Sequence, residues 1–147
     1  MVINDLDIKT TTGTVVKWKG TASEVEIPTE VESRGKQIPV TTVGEYAFLS
    51  SNIHTVTLPD TITRLELGAF FDCRYMISIN LPDSLESIGP DSFHGCSGLK
   101  TITIPDAVTN IGDGAFYYRF SRILQYRPKH CSSPSHLVNF FNPILIA

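Results

Sequence analysis

The sequence predicts a β-rich repeat solenoid, in which short strands of successive repeats stack on one another. Three observations lead to this prediction: a 23-residue repeat, period-two alternation within each repeat, and a proline directly after each alternating segment. Thr and Ile occur 15 times each and Ala only 6 times, and β-branched side chains favour a pleated surface over a helix. The 10 Gly and 9 Pro interrupt the chain too often for long helices.

The repeat is clearest around Pro59, Pro82 and Pro105, which are evenly spaced along the chain by one full repeat. Apolar residues recur at the same interval after each proline, in two sets of three: Leu65, Ile88 and Ile111; Phe70, Phe93 and Phe116. A single repeat cannot bury its own apolar face, so equivalent side chains should stack on each other from repeat to repeat.

Within each repeat, the segment before the proline predicts a strand with one buried face. Ile102 and Ile104 alternate with threonines, which is the period-two pattern of such a strand. The proline then ends the strand because it cannot donate to a ladder. Three strands, expected to pair in parallel, are predicted at 55–58, 78–81 and 101–104, and a shorter extended piece is predicted around Ile88 and Ile111.

An earlier copy of the repeat is visible once an insertion is allowed. Val25–Pro28 matches the proline segment, and Val43–Phe48 matches the phenylalanine segment. Phe48 then becomes the first member of the predicted phenylalanine ladder. The intervening Glu32–Pro39 predicts an exposed loop that lengthens the first repeat.

The extent of the repeats divides the chain into three predicted regions. Residues 1–21 are predicted to form an N-terminal cap, because Thr10–Gly13 is a plausible hairpin turn between two extended segments. Residues 22–118 are predicted to hold about four repeats. Residues 119–147 are predicted to be a decayed repeat or a C-terminal tail.

The prediction for 119–147 rests on lost periodicity and on charge. Pro128 continues the even spacing of the prolines after Pro105, but Arg122, Gln125 and Arg127 stand where apolar residues are expected. From Tyr117 onward there are four Lys plus Arg and no acidic residue, whereas the preceding part of the chain carries a formal charge of −7. These bases belong to no recognisable nucleic-acid module, and acidic repeats repel phosphate, so no nucleic-acid partner is predicted.

The pattern Leu-x-x-Ile-x-Ile-Pro-x-x-Val-x-x-Ile-x-x-x-Ala-Phe, from Leu99 to Phe116, resembles the BspA-like leucine-rich repeat family. In the two preceding copies the family's cysteine follows, as Cys73 and Cys96, whereas Arg119 replaces it in the last copy. The resemblance covers residues 22 to 118. It implies a right-handed leucine-rich repeat solenoid, found mostly on bacterial or protozoan surfaces, that serves in adhesion. It also implies a protein partner, such as an extracellular matrix or host-cell surface protein.

Polar residues at the outward strand positions are the candidate binding residues. These are Thr55, Thr57, Ser78, Asn80, Thr101 and Thr103. Their hydroxyl and amide groups could present adaptable hydrogen bonds to a protein surface, or they could be solvated positions with good β propensity. A second candidate surface is the group of aromatic residues near the turns, some of which could instead pack between repeats: Phe71, Tyr75, Tyr117 and Tyr118.

No arrangement of side chains predicts catalysis, a metal site or a cofactor. Cys73 and Cys96 could be a redox pair, but they are better explained as small buried side chains that the repeat places in equivalent positions. Cys131 lies near His130 and His136 without a framework that would position them. The sequence therefore predicts no enzyme activity.

Acidic residues and histidines also fail to predict a metal site. A row of acidic residues after the prolines fits turn chemistry better than calcium binding, which requires six to eight oxygen ligands: Asp60, Asp83 and Asp106. His54 and His94 lack ligand spacing and are expected to be exposed.

Two function classes follow from these patterns. The first is a non-enzymatic protein-binding or adhesion module, and the alternative is a structural spacer within a larger surface protein, with no ligand of its own. No apolar run approaches the roughly 18 to 20 residues of a membrane span, and Met1–Thr10 lacks the pattern of a secretory signal. A surface or secreted location is therefore implied by the resemblance alone.

Overall fold

The computed structural model describes residues 5–117 and the backbone of a strand at 122–124. This part of the chain contains strands and turns but no α-helix. The strands are β1 (Leu6–Lys9), β2 (Thr14–Trp18), β3 (Glu24–Glu26), β4 (Glu30–Ser33), β5 (Lys36–Pro39), β6 (Thr42–Val43), β7 (Thr55–Thr57), β8 (Arg64–Leu65), β9 (Ser78–Asn80), β10 (Ser87–Ile88), β11 (Thr101–Thr103), β12 (Asn110–Ile111) and β13 (Arg122–Leu124).

Strands of successive repeats pair in parallel, in two principal sheets. One sheet has the order β3-β7-β9, and the other has the order β1-β2-β6-β8-β10-β12. In the first sheet Val56 pairs with Ile79, and in the second Leu65 pairs with Ile88, which pairs with Ile111. The strands therefore pair equivalent residues of neighbouring repeats with each other.

The phenylalanine ladder forms the centre of the core. The ring centroids of Phe48 and Phe70 are 5.0 Å apart, and those of Phe70 and Phe93 and of Phe93 and Phe116 are each 5.5 Å apart. All four side chains are buried. The predicted stacking of equivalent residues is confirmed.

An antiparallel hairpin of β1 and β2 precedes the first repeat. β2 pairs in parallel with β6, so the hairpin extends the larger sheet by two strands. The Trp18 ring stacks on Phe48 at a centroid distance of 6.2 Å. The hairpin therefore covers both the sheet edge and the exposed end of the phenylalanine ladder.

The insertion in the first repeat is a second hairpin instead of the predicted loop. β4 pairs antiparallel with β5, and Ser33 and Lys36 close a two-residue turn. Both turn residues have positive φ, 51° at Arg34 and 75° at Gly35, which suits the twist of a tight hairpin. A turn of this kind is specified by only two residues, which the repeat periodicity does not reveal.

Parallel pairing continues past residue 118 with a shortened interval. Ile102 of β11 pairs with Ile123 of β13, whereas a full repeat after Ile102 would end at Gln125. The fixed interval of the other repeats does not identify this strand, because the connection that leads to it is shorter.

The β3-β7-β9 sheet ends at β9, and β11 belongs to a separate pair with β13. The predicted parallel pairing of the segments at 78–81 and 101–104 is therefore absent. The larger sheet is not interrupted between the same two repeats, because β10 pairs with both β8 and β12. We call the interruption between β9 and β11 the seam.

Candidate binding face

The predicted binding residues lie on three strands and point away from the core. We call this set the strand face: Thr55, Thr57, Ser78, Asn80, Thr101 and Thr103. All are exposed except Thr55, which is half-buried, and the intervening Val56 and Ile102 are buried. The structure joins the first four residues on one sheet and places Thr101 and Thr103 on the other side of the seam.

Asn80 differs from the other residues of the strand face because its side chain binds the neighbouring repeat. Its Oδ1 accepts a hydrogen bond from the Leu58 amide at 3.0 Å, and its Nδ2 donates to the Leu58 carbonyl oxygen at 3.1 Å. The side chain thus occupies the place of a main-chain partner for Leu58. The sequence shows an outward polar residue here but not this structural role.

We expect Asn80→Ala to lower the free energy of unfolding by about 1 to 3 kcal/mol, because both main-chain groups of Leu58 lose a partner. Urea denaturation monitored by circular dichroism measures this loss. Ser78→Ala is the control, since Ser78 lies on the same strand, and it should change the free energy by less than about 0.5 kcal/mol. Equal effects of the two substitutions would contradict the role assigned to Asn80.

The remaining outward hydroxyl groups are available to a ligand. Within residues 5–117, the side chains of Thr57, Ser78, Thr101 and Thr103 make no hydrogen bond to another protein group. Each hydroxyl can donate one hydrogen bond and accept others. The strand face therefore offers unpaired polar groups at regular spacing.

Charge is unevenly distributed along this face. Glu24 and Glu26 lie beside Thr55 and Thr57 on the paired strands β3 and β7, around a shallow depression of about 220 Å³. Lys100 precedes β11 at the opposite end, is exposed, and donates from Nζ to the Ser97 carbonyl oxygen at 3.1 Å. A partner that spans the whole face would meet acidic groups at one end and a cation at the other.

The seam opens a cleft in the strand face. Its volume is about 340 Å³, and β9, β11 and their flanking residues line it. Ile79 and Leu81 are half-buried, whereas their equivalents Val56 and Leu58 are 1% and 2% exposed. The interruption therefore exposes both main-chain groups and part of the core.

Two large exposed side chains, Tyr75 and Ile77, lie just before β9 in the chain. They are 58% and 63% exposed, and Ile77 lines the cleft. The neighbouring repeats carry His54 and Lys100 at the position of Ile77. This difference between the repeats is visible in the sequence. It is the signal that could have indicated the exposed apolar site.

The predicted aromatic group is divided between two places. Tyr75 contacts His54 edge to face, with ring centroids 6.4 Å apart. Phe71 belongs to an outer stack on the turns, with centroids 4.6 Å from His94, which in turn lies 5.3 Å from Tyr117. Tyr118 lies outside the described residues.

His94 differs from its prediction because it is half-buried in this outer stack. Its Nδ1 lies 3.3 Å from Oδ1 of Asp91. His54 is exposed as predicted. Since the rings of the outer stack face one another, a ligand on this surface would contact mainly ring edges.

The thiols of Cys73 and Cys96 are buried between repeats. Cys73 Sγ donates to the Phe48 carbonyl oxygen at 2.9 Å, and Cys96 Sγ donates to the Phe70 carbonyl oxygen at 3.1 Å. The hydrogen bond with Cys73, together with burial, raises the pKa of Cys96 above its ordinary value. Burial of both thiols and their donation to carbonyl groups agree with the predicted packing role. Cys131, His130 and His136 lie outside the described residues.

The acidic residues that follow the prolines lie exposed at the turns: Asp60, Asp83 and Asp106. Within residues 5–117, no group of three or more His, Cys, Asp or Glu side chains is arranged to hold a metal ion. The same part of the chain includes no helix of the length and apolarity that a membrane crossing requires.

Comparison with solved structures shows the same fold in several bacterial proteins. A leucine-rich repeat protein from Bacteroides capillosus is 28% identical, with a TM-score of 0.72, over 83% of this chain and 93% of that one. A second, from Bacteroides ovatus, is 29% identical, with a TM-score of 0.61, over 79% of this chain and 38% of that one. The leucine-rich repeat protein of T. pallidum is 22% identical, with a TM-score of 0.63, over 78% of this chain and 64% of that one. At this identity the comparison supports only a shared fold.

Comparison with curated proteins gives no match. The family model for the BspA type leucine rich repeat region matches residues 23–127 in six copies. That range covers most of the chain and includes the strand at 122–124, beyond the four repeats predicted from the sequence. Members of leucine-rich repeat families are in general protein-interaction or repeat modules. The chain belongs to the BspA-type leucine-rich repeat family.

Proposed function

We propose that the chain is a protein-binding module of a cell-surface or secreted protein, and that it binds through the strand face. The repeats would form a right-handed solenoid with this face along one side. Extracellular matrix and host-cell surface proteins are the proposed partners. Binding would depend on surface complementarity, with no enzymatic step and no cofactor.

The observation that carries the proposal is the row of unpaired hydroxyl groups on a rigid support. Thr57, Ser78, Thr101 and Thr103 stand on short strands whose other side is anchored in the core. On each side of the seam their positions are fixed before binding, so little ordering of each strand opposes association. The neighbouring Tyr75 and Ile77 add exposed apolar area of the kind that anchors interfaces.

Paired arginine substitutions test the face. We expect Thr57→Arg with Thr103→Arg to weaken binding to a purified matrix or host-surface protein by at least about tenfold, because two long cations would occupy the contact area. Binding is measured by surface plasmon resonance against a panel of such proteins. Thr109→Arg with Asn110→Arg is the matched control, since both residues are exposed next to or on β12 of the other sheet.

Equal affinity of both double variants for every partner would refute the strand face as the binding site. The structural spacer is the alternative function, and it predicts that the wild-type chain binds none of the panel. Circular dichroism of all forms separates lost binding from lost folding.

A further inference from the structure

We propose that the seam between β9 and β11 accepts an extended peptide of the partner as an added strand, with an acidic residue of that peptide next to Lys100. This inference rests on the proposed function and names the chemistry of the partner at the strand face. Three features of the seam support it: unpaired main-chain groups, side-chain environment and charge.

The walls of the seam present unpaired main-chain groups. In a parallel ladder, alternate residues direct both their N–H and C=O groups to the same neighbouring strand. Ser78 N donates to the His54 carbonyl oxygen at 3.2 Å, so the groups of Ile79 point to the other side, toward β11. Within the described chain, no backbone hydrogen bond joins residues 77–81 to residues 100–104. A peptide strand carries the alternating donors and acceptors that both walls require.

The seam must widen to admit a strand. The nearest Cα atoms of the two walls lie no more than 8 Å apart. Paired strands lie about 4.8 Å apart, so two strands that flank a third are about 9.5 Å apart. Entry of a strand therefore requires an opening of at least about 1.5 Å. The turns of the same two repeats stay bonded, with Phe93 N donating to the Ala115 carbonyl oxygen at 2.8 Å, so the opening would be confined to the strand face.

The side chains around the seam fit an alternating peptide. Ile79 and Leu81 are only half-buried and would gain cover from one inward apolar side chain. Ile77, at 63% exposure, stands at the start of the cleft and would contact the peptide as it enters. The outward positions of the peptide would continue the polar row between Ser78 and Thr101.

The charge of Lys100 predicts an acidic residue at one end of the peptide. Lys100 is the only charged residue within 77–81 and 100–104. Its ammonium group donates to the Ser97 carbonyl oxygen, and no carboxylate of the described chain forms an ion pair with it. A glutamate or aspartate in the peptide would supply the missing anion. Neither a glycan nor a nucleic acid presents a regular row of amide donors and acceptors, which is why we infer a peptide.

A reversible lock on the seam tests the proposal. Ser78→Cys with Thr101→Cys places two thiols on opposite walls, and a disulfide between them requires a Cα separation of about 4.4 to 6.8 Å, which draws the seam closed. Thr55→Cys with Ser78→Cys is the control, because those residues already pair across β7 and β9. Both variants carry Cys131→Ser, and mass spectrometry confirms each disulfide.

The probe is the peptide acetyl-Glu-Thr-Ile-Thr-Ile-amide with a fluorescent label, compared with a version that has the Glu at the other end. We expect one of the two to bind wild type with a Kd below about 1 mM. We expect oxidation of the seam variant to weaken this binding at least about tenfold, with recovery on reduction, and no change in the control. We also expect Lys100→Gln to remove the preference for the position of the Glu.

Hydrogen exchange on the unmodified protein gives an independent measurement. We expect the bound peptide to slow exchange at the amides of Ile79, Thr101 and Thr103. Unchanged exchange, equal binding by the oxidised and reduced seam variant, or no binding of either peptide would overturn the proposal. If a partner protein binds the oxidised and reduced forms equally but is lost with the Thr57→Arg and Thr103→Arg pair, the seam proposal fails and the proposed function stands.

Discussion

Phe93→Ala is expected to lower the free energy of unfolding by about 3 to 5 kcal/mol, the usual loss when a fully buried aromatic side chain is removed from a core. The Phe93 ring is 0% exposed and stacks on rings in both neighbouring repeats at 5.5 Å. Its removal leaves a cavity in the middle of the ladder and separates Phe70 from Phe116. Urea denaturation monitored by far-ultraviolet circular dichroism measures the loss.

The single tryptophan adds a local measurement to this experiment. Trp18 stacks on Phe48 at one end of the ladder, and Phe70 lies between Phe48 and Phe93, so Trp18 fluorescence reports the cap. Each repeat contacts mainly its neighbours, and coincident fluorescence and dichroism transitions would show that the ladder unfolds as one unit. Tyr75→Ala is the control, because its side chain is 58% exposed, and its effect should stay within about 0.5 kcal/mol. A loss below about 1 kcal/mol for Phe93→Ala would contradict the central role of the ladder.

Gly13→Ala is expected to have the second largest effect. Gly13 has a φ of 62°, and a Cβ atom there would collide with the Pro39 carbonyl oxygen. Its own carbonyl oxygen accepts a hydrogen bond from the Thr41 amide at 2.9 Å, so a shift of the turn would also separate the cap from the first repeat. We expect a loss of about 2 to 4 kcal/mol, from backbone strain of about 1 kcal/mol together with overpacking of about 1 to 3 kcal/mol.

Gly35→Ala isolates the contribution of the collision. Gly35 also has a positive φ, at 75°, but no atom lies within 4 Å of the position that a Cβ would take. This substitution should cost about 1 kcal/mol, the strain alone. Thermal unfolding of both variants measures the difference, and equal losses would show that the contact between Gly13 and Pro39 contributes nothing.

Much of the fold could be predicted because burial and strand pairing share one period. The alternation of Ile102 and Ile104 with threonines identifies both the strand and its buried face. The recurrence of Phe70, Phe93 and Phe116 identifies the core, because stacked repeats bring equivalent residues together. The same alternation placed five of the six strand-face residues in exposed positions, while their binding role remains a prediction.

Changes in spacing could not be predicted from a fixed period. The strand at Arg122–Leu124 follows β11 at a shorter interval than the repeat, so a fixed period aligns Ile102 with Gln125 where the structure has Ile123 as the register partner. The hairpin of β4 and β5 depends on a two-residue turn at Arg34 and Gly35 and leaves no trace in the periodicity. A period counts residues along the chain, whereas pairing depends on which groups come into contact.

The sequence by itself determined the strands of the regular repeats, the phenylalanine ladder, the buried thiols and the family. Only the tertiary structure decided where the strand face is continuous and where it is interrupted. Asn80 looks like one more outward polar residue in the sequence, yet its amide binds Leu58 across the repeats. The seam likewise depends on whether the main-chain groups of two repeats approach within hydrogen-bonding distance. The physical reason is that a local pattern specifies which face of each strand is buried, whereas the separation between neighbouring strands results from the packing of all repeats together.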